Sequence, residues 1–187
     1  MEAFLVATGV VALAEMGDKT QLLTLLLAAR FRRPWPIVAG VFVSTIVNHA
    51  LAGAVGSWVT HELGATALRW ILGGSFIAMA VWILIPDKLH EDDAPRLSRF
   101  GVFGTTVVAF FLAEMGDKTQ IATVMLAARF AGQYFWVVAG TTLGMMLANA
   151  PVVWFGEKLV KRVPIQLVHG ISAVIFLVLG VLMIVGL

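Results

Sequence analysis

Cysteine is absent from the 187 residues, and charge is scarce. Without a thiol there are no disulfides, no thiolate metal sites and no cysteine nucleophile. Lysine and arginine total 13, aspartate and glutamate 11, so 13% of the chain is charged, against about a quarter in a soluble domain. The net charge of +2 is too small to imply a nucleic acid. The opening residues, Met1-Glu-Ala-Phe4, hold no basic cluster of the kind that precedes a cleavable leader. The short alternating segments of a membrane barrel are missing as well. In their place is hydrocarbon: 60% of the residues are apolar and the mean hydropathy is +0.94. A soluble fold of this length cannot hide so much apolar surface, so soluble classes are excluded.

Six apolar stretches follow one another, at about residues 3–29, 36–59, 67–85, 102–128, 135–155 and 165–187. Each is long enough for a membrane-crossing helix, which takes about 20 residues. Basic residues give the orientation. Arg30, Arg32 and Arg33, then Lys88, Arg96 and Arg99, then Lys158, Lys161 and Arg162 fall in alternate loops on one side. The other side has Arg69 and Arg129 near helix ends. The positive-inside rule puts the nine in the cytoplasm and both termini outside it. Trp35, Trp58, Trp70, Trp136 and Trp154 sit close to the span ends, as interfacial aromatics do.

The chain repeats itself. Leu13-Ala-Glu-Met-Gly-Asp-Lys-Thr-Gln21 returns without change as Leu112–Gln120, 99 residues later. Ala28-Ala-Arg-Phe31 returns as Ala127–Phe130; after a one-residue insertion Gly40, His49, Gly56 and Phe76 align with Gly140, Asn149, Gly156 and Phe176. Each half holds three spans, an odd number, so the second half enters the membrane from the opposite side. The expected fold is an all-α membrane protein with six transmembrane helices in two inverted three-helix repeats. The repeats occupy residues 1–86 and 100–187, joined by a charged cytoplasmic linker at 87–99.

The repeated motif lies at mid-membrane depth. About twelve apolar residues precede Glu15 and eight separate Gln21 from Arg30, and the second copy is spaced alike. An ionised side chain at that depth costs roughly 2.5–3.5 kcal/mol on insertion scales, so such groups face a polar interior and serve a function. A helix–helix salt-bridge cluster accounts for one copy; it accounts poorly for Glu15, Asp18, Lys19, Glu114, Asp117 and Lys118 together. At i, i+3 spacing Glu15 and Asp18 share one helix face, and two-fold symmetry brings Glu114 and Asp117 opposite. Thr20, Gln21, Thr119 and Gln120 add neutral oxygens. An oxygen-rich cage suits Ca2+, Mg2+ or Mn2+, and without thiols or paired histidines zinc and copper fit less well. Gly17 and Gly116 allow local unwinding within the motif. Lys19, four residues after Glu15, is placed for a helical ion pair with it, and Lys118 is the corresponding charge partner of Glu114. His49 and Asn149 occupy equivalent places, as direct ligands, as groups that hold a ligand, or as packing and helix–helix hydrogen-bonding residues. Ser44, Thr45, Asn48, Thr141 and Thr142 read as interhelical contacts, and His61, His90 and His169 as without a specific role. Glu91-Asp92-Asp93 reads as solvated linker.

Four carboxylates and two lysines leave −2 when all are ionised, which one divalent cation or two protons would neutralise equally well. Competition between metal and protons, coupled to alternating access, gives exchange.

Glu15-Met-Gly-Asp-Lys-Thr20 and Glu114-Met-Gly-Asp-Lys-Thr119 make the sequence similar, over essentially its whole length, to the family of bacterial manganese exporters and eukaryotic Golgi calcium/manganese transporters. That family is marked by two copies of Glu-x-Gly-Asp-Lys/Arg-Thr/Ser. The resemblance implies cation/proton antiport carrying Mn2+ or Ca2+ out of the cytoplasm. It also implies ion binding by Glu15, Asp18, Glu114 and Asp117, no enzymatic activity and no cofactor. The expected partners are the cation and the lipid bilayer. The minimal length fits a bacterial inner-membrane member. A passive divalent-cation channel or uniporter with the same acidic site is the alternative. An intramembrane enzyme would need an asymmetric reactive centre, which near-identical motifs argue against.

Overall fold

The computed structural model describes residues 1–85, 101–156 and 164–186. Lys88, His90, Glu91-Asp92-Asp93, Arg96, Arg99, Lys158, Lys161 and Arg162 therefore lie outside the described residues, as does the linker expected at 87–99. Among the described residues the regular structure is entirely helical: α1 Glu2–Glu15, α2 Lys19–Phe31, α3 Pro34–Glu62, α4 Ala65–Trp82, α5 Gly101–Glu114, α6 Lys118–Arg129, α7 Tyr134–Phe155 and α8 Ile165–Val185. Four of these, α3, α4, α7 and α8, are long and apolar enough to cross a membrane; α5 is a shorter apolar helix. The protein is a helical membrane protein.

The stretches expected as single spans at 3–29 and 102–128 are each two helices with a bend between them. The motif dictates the bend. Helix α1 ends at Glu15; Met16 is extended, and Gly17 takes φ +83°, a left-handed value that glycine adopts without steric cost. Asp18 is extended again, and α2 starts at Lys19. The released Gly17 N–H donates to Gln21 Oε1 at 3.0 Å. The second copy does the same: Gly116 has φ +73° and its N–H donates to Gln120 Oε1 at 2.8 Å. Glycine makes the turn and the glutamine one turn later satisfies the freed amide, which lipid surroundings would otherwise leave unpaired.

Small residues bring the helices close. Helix α1 packs chiefly on α7, α3 on α5 and α6, and α4 on α8. A Cβ at Gly140 of α7 would stand 2.5 Å from Phe4 O of α1, and one at the equivalent Gly40 of α3 would stand 2.7 Å from Thr106 Cβ of α5. These crossings depend on glycine, as is usual where helices associate in lipid. Phe76 of α4 and Phe176 of α8, aligned positions of the two halves, meet with ring centroids 6.1 Å apart. The buried apolar residues form two clusters, one including Ala7, Phe76, Leu126 and Phe176, the other Leu23, Leu27, Ile37 and Phe110. Trp35, Trp58, Trp70, Trp136 and Trp154 are exposed near helix ends.

Candidate cation site

Glu15 closes α1 and Glu114 closes α5, while Asp18 and Asp117 are the residues immediately before α2 and α6. The bends thus correct one expectation: Glu15 and Asp18 share no helix face, because the helix ends between them. Each carboxylate pair instead straddles a bend, at the C-terminus of one helix and the N-terminus of the next. The N-terminal positions of Asp18 and Asp117 suit anions through the helix dipole. Neither side chain is hydrogen-bonded back to its own helix start.

The two bends face each other. One ligand oxygen from each of Glu15, Glu114 and Asp117 lies within 4.8 Å of the others, and all three residues are buried. Oxygens on opposite sides of a Ca2+ ion stand about 4.6–5.2 Å apart, so the group already has the span of a single hard cation. Asp18 stands outside this group, with Oδ1 4.0 Å from Lys118 Nζ.

The lysines cross between the halves. Lys19 Nζ meets Asp117 Oδ1 at 2.9 Å, and Lys118 approaches Asp18 while donating to Ile85 O at 3.0 Å. The expected Lys19–Glu15 pair along one helix is replaced by a pair with the opposite motif, again because the bend removes the i, i+4 relation. Lys118 is buried, whereas Lys19 keeps 27% side-chain exposure.

The two glutamates have different surroundings. Glu15 accepts hydrogen bonds from Thr20 of its own motif, from Thr119 of the other, and from Asn149 Nδ2 at 3.4 Å. Both oxygens of Glu114, and Asp117 Oδ2, have no hydrogen-bond partner among the described residues. His49 Nε2 faces Glu114 Oε1 at 3.6 Å. His49 and Asn149 therefore do corresponding things: each stands against the glutamate of the opposite half. The glutamines hold the bends with their amide oxygens and reach across with their nitrogens, Gln21 to Ala148 O (3.0 Å) and Gln120 to Asn48 Oδ1 (3.4 Å).

One expectation needs revision. His169, read as having no specific role, stands with Nε2 2.9 Å from Met16 O, which accepts its N–H and so holds the first bend. Only its position four residues into α8 hinted at this. Ser44, Thr45 and Thr142 are buried with hydroxyls lacking a hydrogen-bond partner among the described residues, and Thr141 bonds to Val138 O of its own helix. Asn48 does make the interhelical contact, donating to Phe111 O at 3.3 Å.

The family described as divalent cation/proton antiporter GDT1 matches residues 3–91 and 102–187. The chain belongs to the GDT1 family. A Vibrio cholerae protein named "Putative manganese exporter" is 48% identical over 180 residues, covering 96% of this chain and 89% of the relative. A GDT1-like protein of Synechocystis is 28% identical, covering 97% and 96% of the two chains. GDT1-like protein 3 of Arabidopsis thaliana is 23% identical, covering 94% and 68%. No solved structure matches. GDT1 membership makes the chain a cation transport protein and not an enzyme.

Proposed function

We propose that this chain exports a divalent cation, Mn2+ in the first instance, from the cytoplasm in exchange for protons, by alternating access. The ion binds at the facing bends of two inverted three-helix repeats, residues 1–86 and 100–187, each bent helix pair counting as one broken span. Both termini lie outside the cytoplasm of a bacterial inner membrane. The observation that carries the reading is the meeting of Glu15, Glu114 and Asp117, buried and drawn from both halves, in a member of a divalent cation/proton antiporter family. The name of the Vibrio relative favours Mn2+ over Ca2+.

The repeat reading draws support from matched contacts: α1 with α7 corresponds to α5 with α3, and the aligned Phe76 and Phe176 face each other. Broken helices whose ends meet at mid-membrane are how many transporters of inverted-repeat design bind ions. Glu15, Glu114 and Asp117 are the first ligands; Thr20 and Thr119 support Glu15, and Asp18 stands by across from Lys118. Lys19 neutralises Asp117 until the cation arrives. Departure of the cation leaves carboxylates that protons then neutralise, so each direction of travel carries its own compensating charge.

Proteoliposomes test this. With an acidic interior, antiport predicts Mn2+ uptake that stops when an ionophore collapses the pH gradient. Uptake that follows the Mn2+ gradient alone, indifferent to pH, would establish the channel or uniporter instead. Glu15→Gln and Asp117→Asn preserve shape while removing charge, and each is expected to lower Mn2+ uptake at least about tenfold. Unchanged uptake in either would remove that residue from the site.

A further inference from the structure

The acidic cluster is not symmetric, and the asymmetry lies in which polar atoms are already engaged. Glu15 is held by Thr20, Thr119 and Asn149. Asn149, on α7, is itself engaged on both sides of its amide: Oδ1 accepts from Thr24 Oγ1 at 2.9 Å, and Nδ2 donates to Met145 O at 3.2 Å as well as to Glu15. Its counterpart, His49 on α3, is fully buried, and neither ring nitrogen has a hydrogen-bond partner among the described residues. Beside it both Glu114 oxygens are equally unengaged, as is Oδ2 of Asp117, which groups with Glu114. Buried polar atoms are nearly always satisfied, so five orphaned atoms on the three side chains of His49, Glu114 and Asp117 mark a place built for something that binds there.

We infer that His49 is a nitrogen ligand of the transported ion, which is drawn off the pseudo-two-fold axis towards Glu114 and His49, and that this imidazole selects Mn2+ over Ca2+ and Mg2+. Adjacent donors on one ion stand about 3.0–3.7 Å apart for bond lengths of about 2.1–2.6 Å, and the 3.6 Å between His49 Nε2 and Glu114 Oε1 falls in that range. Donor chemistry supplies the selectivity. Carboxylates accept Ca2+, Mg2+ and Mn2+ alike, whereas imidazole binds transition metals and adds little for the alkaline-earth ions. Glu15, with its hydrogen bonds from three directions, is the fixed wall of the site. Glu114 is the carboxylate free to turn towards the ion.

This inference rests on the transport reading, and the tests separate the two. The probes are Mn2+, Ca2+ and Mg2+ as chloride salts, with the full chain purified and reconstituted. His49→Asn converts the site to the donor set found around Asn149, and His49→Gln is the second variant. Both are expected to cut the ratio of Mn2+ to Ca2+ uptake about tenfold while Ca2+ uptake persists. Pulsed electron paramagnetic resonance of Mn2+ bound to the wild type is expected to show coupling to an imidazole 14N, lost in both variants. A lost coupling with a fallen ratio supports the ligand role. No 14N coupling in the wild type, an unchanged ratio, or equal loss of all three ions overturns it. Absence of divalent-cation movement by the wild type would instead defeat the transport reading itself.

Discussion

Thr119 shows how the residues of the site depend on one another. Its hydroxyl donates across the halves to Glu15, so the second motif orients the carboxylate of the first. Thr119→Val keeps the volume and removes the donor, leaving a buried carboxylate short of one partner. The expected outcome is about a tenfold weaker Mn2+ affinity with the helical circular dichroism unchanged, measured by titration calorimetry. An equal affinity would show that Glu15 needs no such support. At this scale the sequence was informative about membership and less so about partners. Glu15, Glu114 and Asp117 stood out because ionisable groups are rare at membrane depth. The lysine partners did not, since the i, i+4 rule assumes a continuous helix and the bends carry Lys19 to Asp117 instead.

At the scale of elements the two bends share a design and differ in their surroundings. Gly17 and Gly116 both hold left-handed backbone, where a side chain costs about 1–2 kcal/mol. A Cβ at Gly17 would also stand 2.6 Å from Ile165 Cγ2, while at Gly116 nothing among the described residues lies within 4 Å. Gly17→Ala is therefore expected to lower the thermal midpoint in detergent more than Gly116→Ala, and Ile165→Ala to restore part of the difference. Equal midpoints would contradict the steric account. Glycine within each motif announced the bends in the sequence. That α8 covers only the first was not legible, because Ile165 and His169 align with Ala65 and Arg69, and repeat alignment says nothing about which copy gains a contact. Arg69 instead donates to Ile184 O at 2.6 Å.

For the whole molecule, hydropathy and the duplicated motif carried what the structure shows of the fold. The helical membrane class, the two long helices that follow each bent pair and the meeting of the two motifs all follow from pattern and duplication. Orientation rests on charge, and the missing cysteines make it simple to test. Glu2→Cys is expected to react with a membrane-impermeant maleimide on intact cells, and Arg32→Cys only after permeabilisation; both positions are exposed. The reverse labelling pattern would invert the topology and with it the side from which Mn2+ enters.

The proposed exchange needs one site that trades a cation for protons. Metal binding to protonated ligands must release protons. The most direct measurement is therefore calorimetric Mn2+ titration of the purified protein in two buffers of different ionisation enthalpy, for the wild type and for Glu15→Gln with Glu114→Gln. The wild type is expected to bind Mn2+ with a buffer-dependent heat that reports proton release, and the double variant to lose both. Binding of undiminished strength by the double variant, or heats identical in the two buffers, would contradict it.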